Sequence, residues 1–181
     1  MDPQPITVSP EEFEREVMIL LEKTFDPPAQ PNIRHREFLD GMDGTYEIDL
    51  TVKFRLLGVD FLVVVECKKH KNPIKRETVQ VLHDRIQSTG AQKGIIFSTS
   101  SFQRGAIEYA SKHGIALIMF ISGKSTYFTR AFGPPPEPPP WAKIPKYSGW
   151  LIGLSETGGQ SRCLVSRDHI EYLRKYMEGA M

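Results

Sequence analysis

The 181-residue chain lacks the features of several specialised protein classes. No apolar run approaches the roughly 20 residues that a membrane-spanning helix needs. The first residues are acidic and lack the apolar core of a signal peptide, so we expect a protein without a membrane anchor in the reducing cytoplasm. Cys67 and Cys163 stand in unrelated contexts without metal-ligand spacing, which argues against a disulfide framework or a zinc site.

The chain also lacks an excess of charge of either sign. Lys and Arg number 23 and Asp and Glu 22, for a net charge of +1. A protein with a net charge this close to zero can bind a polyanion only if its basic residues are clustered. One cluster exists, consisting of Lys68, Lys69, His70, Lys71, Lys75 and Arg76. With 25% charged and 40% apolar residues, the composition is that of a globular protein. The length of 181 residues is enough for one full domain.

Residues 46–71 predict two strands joined by a turn. Apolar and polar residues alternate in the first of these strands, which is the period of a half-buried strand. This alternation predicts that Ile48, Leu50 and Val52 share one buried face and that Asp49 points away from it.

The second strand, Phe61–Lys68, is almost continuously apolar, as expected of a central strand covered on both faces. Glu66 and Lys68 are two residues apart, so they project from the same side of it. With Asp49 on the neighbouring strand, the arrangement predicts a divalent-metal site with an ammonium beside it. The alternative is a surface ion pair between Glu66 and Lys68 next to a solvated Asp49.

Helices and strands alternate through the rest of the chain. Ser9, Pro10 and Glu12 form a strong helix start, and Ser100 or Ser101 is expected to cap a later helix. Strands that alternate with helices imply a parallel crossover, so we expect an α/β sandwich with a mixed sheet. The predicted elements are a helix from Pro10 ended by Pro27, an edge strand at Asn32–Leu39, helices at Lys75–Thr89, Phe102–Lys112 and Asp168–Met177, and strands at Lys93–Ser100, Ile115–Ile121 and Gly149–Leu154.

Composition suggests three parts. Residues 1–132 are expected to form the main domain. Residues 133–141 contain six prolines, which exclude a helix or an inner strand and indicate an extended linker. Residues 142–181 are too few to hold a core alone, so we expect this C-terminal extension to pack on the domain or on a partner.

A longer pattern of residues resembles a known family. It comprises Asp49, Glu66-Cys67-Lys68, Gln80 on the following helix, and the run from Gly90 to Ala110. Over about Pro10 to Ile121, the chain resembles the Mrr-like catalytic domain of the PD-(D/E)xK, restriction-endonuclease-like nucleases. The resemblance implies a restriction-endonuclease-like three-layer sandwich and a Mg²⁺-dependent DNA endonuclease, with Mn²⁺ as a substitute metal. It also implies a homodimer or a subunit of a larger system.

The resemblance assigns roles to individual residues. Asp49 and Glu66 become metal ligands, the backbone carbonyl of Cys67 a third ligand, and Lys68 the catalytic lysine. Gln80 matches a glutamine that relatives place near the attacking water or metal; alternatively it is an exposed helix residue. Glu14 matches a first-helix glutamate directed at the metal; alternatively it lies on a solvated face, or Glu16 takes the role.

The basic cluster is the predicted nucleic-acid contact. Phosphates would be bound by Lys69, Lys71, Lys75 and Arg76, with the hydroxyl of Ser100 near a helix N-terminus. The alternatives are a solvated basic loop and a capping serine. Ile48 replaces the proline of the family motif, and no helix-turn-helix segment accompanies the nuclease-like region. We therefore do not expect sequence-specific restriction by this chain alone.

Two other functions fit the same residues. A catalytically silent nucleic-acid-binding or assembly module could keep the fold and dock through the Pro-rich segment, although such a module has no need of an intact Asp49, Glu66 and Lys68. A nuclease acting on RNA or on branched DNA would use the same site, and nothing in the sequence separates these substrates.

Overall fold

Seven strands and four helices make up the part of the chain described by the computed structural model, residues 6–25, 31–123, 144–155, 157–166 and 169–177. The helices are α1 (Pro10–Glu22), α2 (Arg76–Thr89), α3 (Arg104–His113) and α4 (Glu171–Met177). The strands are β1 (Asn32–Asp40), β2 (Thr45–Leu56), β3 (Val59–Lys68), β4 (Lys93–Ser98), β5 (Ile115–Ser122), β6 (Tyr147–Leu154) and β7 (Gln160–Val165). The predicted linker, 133–141, lies outside the described residues. No described helix is long and apolar enough to cross a membrane.

The strands form one mixed sheet in chain order from β1 to β7. The pairs β3–β4 and β4–β5 are parallel, and the other neighbours are antiparallel. Parallel neighbours need a crossover connection, which α2 and α3 provide. The mixed sheet expected from the alternating elements is thus confirmed. Strands β6 and β7 continue it beyond β5, while the domain boundary after residue 132 stays a prediction.

Helices cover both faces of the sheet. Val63 and Val65 of β3 pack with α1 and α4, whereas Val64 of the same strand packs with α2 and α3. Successive side chains of a strand point to opposite faces, so a central strand buried on both sides must be apolar throughout. This explains the apolar run of β3 and confirms the predicted three-layer sandwich.

Most helix ends follow local signals in the sequence. Ser9 and Glu12 form the predicted capping box, in which each side chain accepts a hydrogen bond from the other residue's N–H. Gly90 and Gly114 end α2 and α3 with φ of 70° and 63°, a conformation that favours glycine.

The predicted cap of α3 was wrong. Gln103 precedes the helix and makes no side-chain capping bond, while the Ser100 hydroxyl donates to the Asn72 carbonyl at 2.8 Å. Phe102 forms a bridge with Ile74 before the helix starts, so α3 begins at Arg104, two residues later than predicted. Helix α4 is also shorter than predicted, because His169 bridges to Ser166 ahead of it.

Tyr176 anchors α4 to the beginnings of two parallel strands. The single proton of its buried hydroxyl is shared by the carbonyls of Gly94 at 2.7 Å and Gly114 at 2.6 Å, and the oxygen accepts from the Ala116 N–H at 3.1 Å. Burial raises the pKa of the phenol above its usual range. The hydroxyl therefore satisfies buried backbone groups that have no water to replace it.

Replacing this hydroxyl is expected to destabilise the fold. Tyr176→Phe leaves the three backbone groups without their partner, which should lower the free energy of unfolding by about 1–3 kcal/mol. The matched control is Tyr172→Phe in the same helix, where the side chain is 47% exposed and the change should stay within about 0.5 kcal/mol. Urea denaturation of both variants tests this, and an unchanged midpoint for Tyr176→Phe would contradict the anchoring role.

Candidate active site

The candidate site lies where three adjacent strands lose their regular pairing. Strands β1 and β2 pair on both sides of Arg36 and Asp49, at His35↔Leu50 and Glu37↔Ile48, but these two residues do not pair with each other. Pairing of β2 with β3 ends at Leu50↔Val65. The strands therefore separate just where Asp49 and Glu66 would face each other.

This interruption corrects the predicted strand geometry. Ile48, Leu50 and Val52 are all buried, but they do not share one face, so that prediction was wrong. Ile48 packs with α2 and α3, whereas Leu50 and Val52 pack with α1. A regular strand keeps residues of the same parity on one face, so the backbone must turn over between Ile48 and Leu50. Asp49 occupies the turning point.

The carboxylate of Asp49 bridges to β3 in place of a backbone pair. Its Oδ2 accepts a hydrogen bond from the Cys67 N–H at 2.7 Å. Burial and then the charge of Glu66 raise the pKa of Asp49, while the Cys67 N–H and Lys68 oppose that rise. The ionised carboxylate is thus only partly compensated by its surroundings, which is the condition that a bound cation would relieve.

Glu66 is buried on the α2 side of β3 between two cations. Lys68 Nζ contacts its Oε1, which confirms that the two side chains project from the same side. Arg85 Nη1 of α2 donates to its Oε2 at 2.7 Å. Because each oxygen has a cationic partner, the buried charge of Glu66 is compensated. Both interpretations of the sequence, a metal site and a surface ion pair, expect the contact between Glu66 and Lys68. The ion pair therefore does not distinguish them.

Glu14 of α1 approaches the site from the other layer. Its Oε2 lies 2.5 Å from His35 Nε2 and 3.5 Å from Arg36 Nε. The charge of Glu14 contributes to raising the pKa of both Asp49 and Cys67, although burial is the main cause for each. Glu16 instead forms an ion pair with Lys146 at 3.4 Å. Of the two glutamates considered, Glu14 is the one that faces the site.

The donor set suits a hard divalent cation of the Mg²⁺ type. Mg²⁺ is usually bound by one or two carboxylates together with waters and substrate oxygens. Asp49 and Glu66 provide two carboxylates, and the Cys67 backbone lies between Glu66 and Lys68. Within the described residues, no group of three or more His, Cys, Asp or Glu side chains is arranged to hold a metal ion. The fit therefore depends on two carboxylates and a backbone carbonyl, not on a larger side-chain cluster.

Gln80 lies on the exposed surface of α2. It lines an open cleft of about 530 Å³ together with Tyr46, Arg85 and Tyr109. No hydrogen bond to Asp49, Glu66 or Lys68 is present among the described contacts of this side chain. Gln80 therefore lines the same cleft as Arg85, which binds Glu66. Its catalytic role stays a prediction.

The predicted nucleic-acid contacts divide into two groups. Lys69, Lys71, Lys75 and Arg76 are exposed around the end of β3 and the start of α2, and the Arg76 guanidinium lies 5.1 Å above the Tyr109 ring. Ser100 is buried, with its hydroxyl committed to the Asn72 carbonyl. The four cations remain open to a ligand, whereas phosphate binding by Ser100 would require that hydrogen bond to break.

Three residues of the site were missed by the sequence analysis: Arg85, His35 and Arg36. Arg85 falls between the buried Leu82 and Ile86 on α2, so its place beside the apolar stripe was a usable signal for a side chain facing the sheet. The other two lie on β1, for which the sequence predicts an edge strand and no functional residue. Nothing in the sequence of β1 marks Arg36 for its φ of 51°.

One solved structure, that of AF1548, supports the fold described above. The crystal structure of AF1548, a protein of unknown function, matches with a TM-score of 0.50 and 22% identity, over 60% of this chain and 57% of that one. The DNA modification-dependent restriction endonuclease AspBHI matches with a TM-score of 0.45 and 20% identity, over 60% of this chain and 28% of that one. The alignments thus span less than two thirds of either solved chain.

A family model gives the stronger finding. No curated protein matches the chain. The model of the Mrr-type catalytic domain, described as restriction endonuclease, matches residues 7–121, which is more than half of the sequence and includes every strand that contributes to the site. The resemblance inferred from the motifs is confirmed, and the chain belongs to the restriction endonuclease family of Mrr-type catalytic domains.

Proposed function

We propose that the protein is a metal-dependent endonuclease that hydrolyses phosphodiester bonds in DNA, with Asp49, Glu66 and Lys68 as its catalytic residues. The observation that carries the proposal is the meeting of these three residues at the interruption of the β1–β2–β3 ladder. Asp49 reaches the Cys67 N–H there at 2.7 Å, and Lys68 contacts Glu66. Membership of the restriction endonuclease family supports the same reaction.

Asp49, Glu66 and the Cys67 carbonyl would hold Mg²⁺ or Mn²⁺. When bound, the metal ion lowers the pKa of a water ligand and offsets charge on the phosphate. The Cys67 N–H fixes the orientation of the Asp49 carboxylate by binding Oδ2. Glu66 must release one of its cationic partners to expose an oxygen, since Lys68 contacts Oε1 and Arg85 contacts Oε2. Glu14 is a further candidate ligand once its contact with His35 is broken.

Lys68 supplies a positive charge beside the reacting phosphate. Its side chain is 29% exposed, so the ammonium is partly desolvated and still open to the site. A lysine released from Glu66 can orient the attacking water or stabilise the charge that develops on the phosphate oxygens. Gln80, on the rim of the adjoining cleft, is positioned on the same helix as Arg85 and is proposed to contact the water or the metal.

DNA is proposed to approach along the exposed cations at the end of β3. Lys69 and Lys71 follow the strand that carries Glu66, and Lys75 and Arg76 lie at the start of α2. Such cations bind phosphates without reading base sequence, so they would position the duplex over the site. Arg76 is pre-oriented by the Tyr109 ring, 5.1 Å from its guanidinium carbon.

Cleavage of supercoiled plasmid DNA in Mg²⁺ or Mn²⁺ tests the proposed reaction. Asp49→Asn, Glu66→Gln and Lys68→Ala are each expected to reduce the cleavage rate by at least about 100-fold, since each removes a ligand or the catalytic charge. Asp60→Asn is the matched control, because Asp60 is 78% exposed and pairs with Arg55 at the opposite end of β3. Cleavage that survives all three site substitutions would remove these residues from the mechanism.

Metal binding has a separate readout in thermal stability. Burial and the Glu66 charge raise the pKa of Asp49, so its ionised form destabilises the folded chain when no metal is present. Metal-free Asp49→Asn is therefore expected to melt at or above the wild-type temperature. Mn²⁺ should raise the melting temperature of the wild type and leave that of the variant unchanged. An equal Mn²⁺ response in both proteins would argue against Asp49 as a ligand.

The DNA contacts can be tested independently of cleavage. Lys71→Ala and Lys75→Ala should each weaken duplex binding about equally for unrelated sequences and reduce the slope of log K against log salt by about 0.9. Lys23→Ala is the charge-matched control, since Lys23 is an exposed lysine at the C-terminal end of α1 and is not part of the basic cluster after β3. Fluorescence anisotropy measures all three variants. If the control changes affinity as much as the other two, the cations after β3 are not the specific contact surface.

A further inference from the structure

Arg36 has a backbone conformation that residues other than glycine rarely adopt. Its φ is 51°, in the left-handed region, within a strand whose neighbours pair regularly. A side chain with a Cβ atom is strained in this conformation, and such strain persists only where surrounding contacts enforce it. Arg36 lies at the register position opposite Asp49, so the strain coincides with the turning point of β2.

Contacts on the α1 side hold the Arg36 side chain near the site. Its Nε lies 3.5 Å from Glu14 Oε2, the same oxygen that is 2.5 Å from His35 Nε2. The Glu14 side chain is only 11% exposed, whereas that of Arg36 is 54% exposed. A buried carboxylate thus tethers the guanidinium through Nε, while much of the side chain remains open to solvent. This is the arrangement of a cation presented to a ligand.

The charges around the site favour a polyanion as that ligand. Asp49, Glu66 and Glu14 bring three carboxylates together, and the cations Lys68 and Arg85 are bound to Glu66. A polyanion that approaches these carboxylates needs positive charge on the β1 side as well as on the β3 side. Arg36 is a cation on the β1 side, and the planar donors of a guanidinium match the oxygens of a phosphodiester.

We propose that Arg36 binds a backbone phosphate of DNA next to the phosphodiester that Asp49 and Glu66 act on, and that its left-handed backbone places the guanidinium there. The inference rests on the proposed nuclease function and adds a substrate contact from β1. In the metal-free protein, Glu14 holds this cation through the contact between its Oε2 and Arg36 Nε. The rival explanation is that Arg36 only neutralises Glu14 and shapes the strand.

A glycine and an alanine at position 36 separate the two explanations. Both substitutions remove the guanidinium, but glycine accepts the left-handed conformation without strain, whereas alanine does not. Arg36→Gly should therefore melt at a higher temperature than Arg36→Ala, while both variants lose the ion pair with Glu14. If Arg36 binds DNA, both variants lose affinity to the same extent. If it is only structural, affinity follows stability, and Arg36→Gly binds like the wild type.

The experiment measures binding of a fluorescein-labelled duplex by anisotropy, without added metal, over a series of KCl concentrations. Arg36→Gly is expected to bind about tenfold more weakly and to show a salt slope smaller by about 0.9, the value for one lost phosphate contact. Arg34→Ala is the matched control on the same strand, because Arg34 is 58% exposed, carries the same charge and pairs with Glu37. It should retain wild-type affinity.

The outcomes distinguish this inference from the proposed function. Wild-type affinity and slope for Arg36→Gly overturn the Arg36 contact whether or not the wild type cleaves DNA. Specific loss of affinity in Arg36→Gly, with no cleavage by the wild type in Mg²⁺ or Mn²⁺, supports the contact and overturns the nuclease. A wild-type protein that binds no duplex overturns both.

Discussion

The hydrogen bond from the Cys67 N–H to Asp49 Oδ2 is the interaction on which the site depends. In a regular sheet, that N–H and the backbone of Asp49 would belong to a continuous β2–β3 ladder. Here the ladder stops at Leu50↔Val65, and a side chain takes the place of a backbone partner. Because buried N–H groups must be paired, this bond satisfies β3 and at the same time sets the direction of the Asp49 carboxylate. The interruption of one ladder thus creates a site between two strands.

The need to compensate buried charge explains which side chains surround the candidate site. Buried carboxylates come from α1 and β3, a half-buried one comes from β2, and unpaired buried charges are costly. Glu66 is balanced by Lys68 and Arg85, and Glu14 by His35 and Arg36, while Asp49 receives mainly a neutral N–H. The least compensated carboxylate therefore lies at the centre of the group. This distribution leaves the charge of Asp49 incompletely offset, which is the condition that the proposed metal ion would relieve.

The rest of the fold holds this centre rigidly. Strands β3 and β4 run parallel with α2 on one face and α1 on the other, so the residues around Glu66 are packed from both sides. Helix α4 adds a second attachment, since the Tyr176 hydroxyl binds backbone groups at the starts of β4 and β5. The cations proposed to bind DNA lie instead in the connection after β3 and at the start of α2. Packed strands and helices thus hold the proposed catalytic residues, and an exposed connection holds the proposed substrate contacts.

Much of the fold and part of the site are determined by the sequence itself. Capping residues, glycines after helices and the apolar run of β3 act locally or through simple periodicity, so the sandwich, Glu66 and Lys68 were predictable. Asp49 was predictable from its place on the neighbouring strand, and the family resemblance added Glu14. Only the tertiary structure decided that β2 turns over at Asp49, that Arg85 reaches Glu66, and that His35 and Arg36 meet Glu14. The helical pattern places Arg85 beside the apolar stripe of α2 but does not name its partner, which depends on how α2 packs on the sheet. Strand register and a strained φ join the other residues, and neither leaves a periodic signal along the chain.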